Sequence, residues 1–364
     1  MKILLIGEYS NVHATLAKGL NHLGHEAMVV SNGDDWKNYQ RDIDVSRTYG
    51  PFGGLKLYAK LLTLLPKLRG FDVVQLINPM FFELKAERLR LFYDYLRRHN
   101  KHVVLGAFGM DYYWVHECIT RFPLRYSDFN IGKHVRTDEE SQRYIRDWVG
   151  TAKGDWCQYV AKDADKIIAG LYEYWACYQP IFPEKTVFCP FPIIPSHTTY
   201  RPFDGKLHLF IGINKTRNRY KGTDIMLKAA QKIVENYPEK ADLQVAESVP
   251  FGDYVKMMGK SDVILDQLYS YTPSMNPLEA MNQGLICVGG GEPENYDIIN
   301  EHELRPIINV ELNESSVYQA LYELILHPER INTLKRESMA YIKRHHDYIN
   351  VAQKYIAFYE QLDH

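Results

Sequence analysis

The sequence predicts an α/β protein made of two doubly wound domains with mainly parallel sheets. Three observations carry this. Short apolar runs that do not alternate with polar residues recur along the chain, helical patterns lie between them, and one proline-rich stretch divides the series in two. The length of 364 residues suits two domains of roughly 100–200 residues each.

The opening is a strand–turn–helix–strand unit. Lys2 to Ile6 is apolar after its first residue, Gly7 to Ser10 turns, Asn11 to Leu23 has helical periodicity, Gly24-His25 ends that helix and Glu26 to Val30 is extended. Further strands buried on both faces are expected at Val73 to Ile77, Val103 to Leu105, Lys166 to Ala169 and Thr186 to Cys189. Pro190, Pro192, Pro195 and Pro202 remove ladder and helix donors, which places the linker at Pro190 to Pro202. Beyond it come strands at Leu207 to Ile211, Leu243 to Val245, Val263 to Leu265 and Leu285 to Val288. The helices between them are expected at Asp224 to Glu235, Asp253 to Met258 and Pro277 to Asn282. Amphipathic helices at Ser315 to Leu326, Pro328 to Arg344 and Val351 to Leu362 close the chain, and the last is expected to cross back onto the first domain.

Composition excludes several classes of function. Forty-three Lys and Arg against 45 Asp and Glu give a net charge of -2, so no global field draws the chain to nucleic acid. Five cysteines without a C-x-x-C pair argue against a disulfide framework or a zinc knuckle and fit a reducing cytoplasm. The N-terminal apolar run is too short for a signal peptide, and no window is long enough to span a bilayer. Contact with a membrane surface stays open: Leu55 to Arg69 mixes leucines with Lys56, Lys60, Lys67 and Arg69, interrupted by Pro66. The same pattern also fits a helix packed on the sheet with basic edges.

Two segments carry chemistry. Gly212-Ile213-Asn214-Lys215-Thr216-Arg217-Asn218-Arg219-Tyr220-Lys221-Gly222-Thr223-Asp224 leaves the first strand of the second domain with four cations and precedes a helix. At the carboxyl edge of a doubly wound sheet, where ligands bind, such a loop suits a diphosphate; a solvated basic loop is the bland reading. Ser270-Tyr271-Thr272-Pro273-Ser274-Met275-Asn276-Pro277-Leu278-Glu279 runs into a helix start, and backbone N–H groups near Met275 to Leu278 suit phosphate oxygens. Glu279 is placed to accept from two vicinal hydroxyls such as a ribose diol, or is only a favourable charge at a helix N-terminus.

These segments, with Val249-Pro250, Lys260-Ser261-Asp262-Val263, Pro277 to Gly284 and Gly290-Gly291-Glu292-Pro293-Glu294, resemble the donor half of GT-B glycosyltransferases. The likeness is to the large retaining family (group 1, family 4-like) of cell-envelope and exopolysaccharide type. The resemblance implies two Rossmann-like domains facing a cleft: residues 1–195 with a C-terminal helix from about 350 to 364 binding acceptor, and 196–349 binding a UDP- or GDP-sugar. It implies transfer of a sugar to a glycan or lipid-linked glycan, retaining and without a metal, by a cytoplasmic enzyme working at the inner face of the membrane. A non-catalytic nucleotide-sugar binding protein and a GT-B epimerase or phosphorylase are the alternatives.

Residue by residue, the resemblance implies that Lys215, Arg217 and Lys221 grip the diphosphate, with Gly212 and Arg219 beside them. It implies that Glu279 binds ribose, that Val249 and Pro250 frame the base, and that Tyr271, Ser274, Met275, Asn276, Pro277 and Leu278 line the donor. Where the family carries a Glu eight residues before Glu279, this chain has Tyr271, which can hydrogen-bond but is uncharged. In the first domain, Gly7, Glu8, Tyr9, Asn78, Gly109 and Asp111 fall at carboxyl ends of strands and are candidates for the acceptor, Asp111 foremost. His13 and His116 are further candidates, and Tyr112, Tyr113 and Trp114 offer either a stacking face or core. Asp42-Ile43-Asp44 matches a divalent-cation pattern but lies in a polar segment away from a strand end, so no metal site is assigned.

Overall fold

The computed structural model describes residues 1–215, 217–247, 249 and 251–363, with the side chain of Phe251 excepted. Its strands are β1 (Lys2–Ile6), β2 (Glu26–Ser31), β3 (Ile43–Asp44), β4 (Val73–Leu76), β5 (His102–Ala107), β6 (Asn130–Ile131), β7 (His134–Val135), β8 (Lys166–Ala169) and β9 (Thr186–Phe188), then β10 (Leu207–Ile213), β11 (Ala241–Glu247), β12 (Val263–Leu265) and β13 (Ile286–Val288). The helices are α1 (Val12–His22), α2 (Gly53–Leu64), α3 (Ala86–His99), α4 (Tyr112–Thr120), α5 (Glu139–Trp148), α6 (Ala152–Asp163), α7 (Tyr172–Tyr178) and α8 (Asn218–Lys221). They continue with α9 (Thr223–Asn236), α10 (Phe251–Met258), α11 (Met275–Asn282), α12 (Pro293–Ile298), α13 (Glu314–Leu326), α14 (Ile331–His345) and α15 (Tyr348–Glu360).

The chain forms two compact units. The first comprises Met1–Pro123, Arg143–Pro192 and the stretch from Tyr348 onward; the second comprises Leu124–Gln142 and Ile193–Asp347. Unit 1 is a seven-stranded parallel sheet in the order β3-β2-β1-β4-β5-β8-β9. Ile3, Leu4, Leu5 and Ile6 of β1 are fully buried, as a central parallel strand requires. The C-terminal helix α15 belongs to this unit because α1 offers it a seat at Gly19, where a Cβ would stand 2.4 Å from the Tyr348 carbonyl and 2.8 Å from Ala352 Cβ. Buried Tyr359 of α15 donates to Gln75 Oε1 of β4 at 2.6 Å.

Unit 2 is a four-stranded parallel sheet in the order β11-β10-β12-β13. One face is covered by α9 and α13 through Met226, Ile233, Val317 and Leu321. Its affiliation differs from the expected division in one respect, because Leu124–Gln142, read from sequence as part of the first domain, packs into unit 2. Long-range polar bonds decide this: Arg125 and Tyr126 bind Glu292, and Arg136 binds the carbonyls of Arg219 and Tyr220.

The start of β12 is held by a buried ion cluster. Asp262 accepts from Lys335 Nζ of α14 at 2.6 Å, from Arg201 at 3.1 Å and from the His208 N–H at 3.0 Å. Asp262 and Lys335 are almost wholly excluded from water. Removing one partner strands a charge, so Lys335→Met should lower unfolding free energy by about 3 kcal/mol. Adding Asp262→Asn should restore part of that loss, as urea denaturation of the two variants would read.

Candidate donor site at the carboxyl edge of the second sheet

Strand order reverses between β10 and β12, and this switch point is where open α/β sheets bind ligands. The loop leaving β10 turns at Asn214, whose carbonyl accepts from the Arg217 N–H at 3.0 Å, and winds into the single turn α8. Gly222 ends that turn at φ 71°, where a Cβ would stand 2.7 Å from Leu268 Cβ, so the crossing needs glycine twice over. The Lys221 carbonyl accepts from the Leu268 N–H at 3.0 Å, which ties this loop to the one leaving β12.

The four cations of the loop are not equivalent. Lys215 is spent on Glu247 at the end of β11, at 2.5 Å. Arg217, Arg219 and half-buried Lys221 form no ion pair among the described residues. Gly212 lies inside β10, and a Cβ there would stand 2.8 Å from the Tyr254 hydroxyl. A side chain there would crowd Tyr254, so the packing at this position requires glycine.

The second wall is the loop from β12 into α11. Asn276 is fixed from both sides: its Nδ2 donates to Asp266 Oδ1 at 2.8 Å and its Oδ1 accepts from Tyr254 at 2.9 Å. Ser274 precedes the helix without capping it with its side chain, Pro277 has no N–H, and the Leu278 N–H already donates to the Ser274 carbonyl. The N–H groups of Met275 and Asn276 therefore stand without a partner among the described residues. Glu279, half-buried, receives one bond, 3.3 Å from Asn282 Nδ2 to Oε2, and burial pushes its carboxyl above the usual range. Leu278 is wholly buried and Met275 and Pro277 nearly so, which leaves them as packing. Val249 is half-buried beyond β11, and Pro250 lies outside the described residues.

Tyr271 is not open to a ligand. It is buried, its hydroxyl accepts from the Arg125 N–H at 2.8 Å, and its ring lies 4.6 Å from that of Tyr126. Its apolar ring and hydroxyl anchor the 124–142 segment.

In unit 1 the residues at strand ends are turned inward. Gly7 has φ 86°, and a Cβ would stand 2.2 Å from Ile77 Cγ2. Glu8 accepts from the Ala14 and His13 N–H groups at 2.8 and 3.2 Å, and burial pushes its pKa up to about 8. His13 Nδ1 bonds the Gly7 carbonyl at 2.8 Å while Nε2 faces Gln75 Nε2 at 3.0 Å, so the imidazole is neutral, and burial holds its pKa down at about 3. Asn78 spans the Met110 carbonyl and the Met80 N–H. Asp111 caps α4, accepting from the Trp114 N–H at 2.8 Å and the Tyr178 hydroxyl at 2.9 Å, and burial pushes its pKa up to about 7. Glu8, His13, Asn78 and Asp111 thus form internal ties within unit 1. Tyr9 and Gly109 remain half-buried, with the Tyr9 ring against Gly109. Tyr113 and Trp114 are core, and half-buried Tyr112 stacks on His116. Asp42 accepts from the Val29 N–H, and Asp44 pairs with Arg41 and Lys60.

No protein-family model and no curated protein matches the sequence. Solved structures do. Sucrose-phosphate synthase from Thermosynechococcus elongatus aligns at a TM-score of 0.60 and 12% identity over 100% of this chain and 99% of that one. HepE from Anabaena, in complex with UDP and glucose, aligns at 0.58 and 14% over 98% of both chains. A protein described as a UDP-N-acetylglucosamine 2-epimerase from Listeria monocytogenes aligns at 0.55 and 12% over 98% of this chain and 95% of that one. The chain has the GT-B fold.

Within this GT-B chain the motifs at 212–224 and 270–279 come together on one sheet edge. Asp266, Arg125 and Arg136, to which the sequence assigned no role, complete their surroundings together with Glu292 of the 290–294 motif. Asp266 follows the apolar triad Val263–Leu265 directly, so the strand-end rule applied to Asn78 would have found it; no local signal marks Arg125 or Arg136. For Glu8, the folded state between pH 4.5 and about 8 keeps a proton that the unfolded chain has lost, so this residue lowers stability as pH rises through that window. Glu8→Gln should flatten that slope, read from urea unfolding at pH 5, 7 and 8.5, while lowering stability at pH 5 through loss of one acceptor.

Proposed function

We propose that this GT-B protein is a glycosyltransferase that moves a sugar from a nucleoside-diphosphate sugar to a glycan or lipid-linked glycan acceptor. The observation that carries the reading is the conjunction at the switch point, among the described residues, of cations without counter-charges, two helix-start N–H groups without a partner and a carboxylate with one hydrogen bond. A diphosphate satisfies the first two and a ribose diol the third. Arg217 and Lys221, with Arg219 beside them, take the phosphate oxygens. Lys215 joins only by leaving Glu247. Glu279 takes the ribose hydroxyls, and the backbone near Val249 meets the base. UDP is the natural first probe, because HepE is described with it.

Breaking the anomeric bond places positive charge on the sugar and added negative charge on the departing phosphate. Cations and N–H groups aimed at that phosphate stabilise the transition state more than the ground state. They do the neutralising that a divalent ion does elsewhere, so the reading is metal-independent. With retention of configuration the acceptor attacks from the face the phosphate leaves, and no strong base is required. Lys221→Ala should cut sugar transfer by roughly 10²–10³, measured as UDP release from UDP-glucose and other UDP-sugars with and without glycan acceptors. Wild-type rate in this variant would remove Lys221 from the mechanism. Turnover of a UDP-sugar without acceptor or UDP release would instead support the epimerase alternative, which the Listeria neighbour motivates.

We further place the enzyme on the cytoplasmic face of a membrane, supported by unit 1. Helix α2 buries Leu57 and Leu61, yet Phe52, Leu55 and Leu62 are 65%, 60% and 40% exposed along a second stripe flanked by exposed Lys56 and Lys60. Apolar side chains among lysines suit anionic lipid. Co-sedimentation with phosphatidylglycerol vesicles but not phosphatidylcholine vesicles is expected, and Phe52→Ser with Leu55→Ser should abolish it.

A further inference from the structure

The loop that carries the unpaired cations cannot hold its own shape. Helix α8 is four residues long, and a single turn in isolation is unfavourable because nucleation fixes several dihedrals for one hydrogen bond. Two of its carbonyls and one of its N–H groups are bonded from residues 124–142. Arg136 Nη1 donates to the Tyr220 carbonyl at 2.9 Å and Nη2 to the Arg219 carbonyl at 2.8 Å, while Glu140 Oε2 accepts from the Tyr220 N–H at 3.0 Å. The Arg136 side chain is 10% exposed, paired through Nε with Asp138 at 3.1 Å and laid on the Tyr269 ring, 4.1 Å from its centroid. Guanidinium, carboxylate and ring therefore fix one another before any ligand arrives.

At its other end the segment is pinned on the loop after β13. Arg125 binds Glu292 at 2.7 Å and also Glu294, and Tyr126 donates to Glu292 at 2.6 Å. The segment thus runs along the carboxyl edge of the second sheet, from the loop after β13 to the loop after β10.

We propose that residues 124–142 are a brace for the anion-binding loop and that Arg136 is its positioning residue. It holds the α8 carbonyls so that Arg217, Arg219 and Lys221 present their charges to a diphosphate without themselves being neutralised. A guanidinium is suited to this because its planar fork reaches two carbonyls at once, keeps Nε for Asp138 and lays a flat face on an aromatic ring, whereas an ammonium is a point charge without that fixed fork. The proposal rests on the donor reading above for its ligand, but not for its structural half.

Two measurements separate them. In ligand-free protein, Arg136→Lys, which keeps the charge, should speed amide hydrogen exchange across 217–223 by about tenfold or more while exchange in β1 and β4 stays as in wild type. Glu140→Ala, which removes only the acceptor for Tyr220, should act in the same direction. Unchanged exchange in both variants overturns the brace. In titration calorimetry with UDP, Arg136→Lys should weaken binding about tenfold. Faster exchange with an unaltered UDP Kd overturns the claim that the brace serves the anion site. A wild-type protein that binds neither UDP nor GDP overturns the donor reading and the ligand half of the proposal, and the exchange result still decides the structural half.

Discussion

A parallel sheet buried on both faces permits polar chemistry only where its strands end. The central strands of both units are almost wholly apolar and closed to water, and their backbone donors are consumed by the ladders. Polar groups available to a ligand then stand beyond the strand ends, on the loops or on the helices that follow them, and each loop must find bonding partners for its own backbone. In unit 2 that requirement produces a loop whose backbone is held from outside while Arg217, Arg219 and Lys221 form no ion pair among the described residues.

The same rule operates in unit 1 with the opposite outcome. Glu8, Asn78 and Asp111 follow strands there just as Asp266 does in unit 2, and their side chains are bonded to nearby N–H, carbonyl and hydroxyl groups. His13, fixed between Gly7 and Gln75, continues into a chain that reaches Tyr359 in the last helix. A polar residue at a strand end is thus a candidate ligand contact only if its hydrogen-bonding capacity is left over. Burial raises the carboxyl pKa values of Glu8 and Asp111 without making either available to a substrate.

Tyr271 shows how one side chain organises its surroundings. A carboxylate at that position would lie beside Glu292 and Glu294. An uncharged phenol instead packs against Tyr126 and accepts the Arg125 N–H, leaving the Arg125 guanidinium for the two glutamates. The position therefore works as an anchor for the 124–142 segment.

Much of this protein is legible in one dimension. Strands Lys2–Ile6, Lys166–Ala169 and Val263–Leu265 are set by unbroken apolar runs, and the helix start at Met275 by a serine and proline at its first turn. The cation loop stands out because its charges are adjacent in sequence. Periodicity and spacing report neighbours a few residues apart, and these features are made of such neighbours. Only the tertiary structure decided which charges are spent and where residues 124–142 belong. Lys215 meets Glu247, Arg136 meets Arg219 and Tyr220, and Arg125 meets Glu292 across 167 residues. Whether a polar group is satisfied depends on partners that folding brings to it, and no local pattern in the chain encodes them.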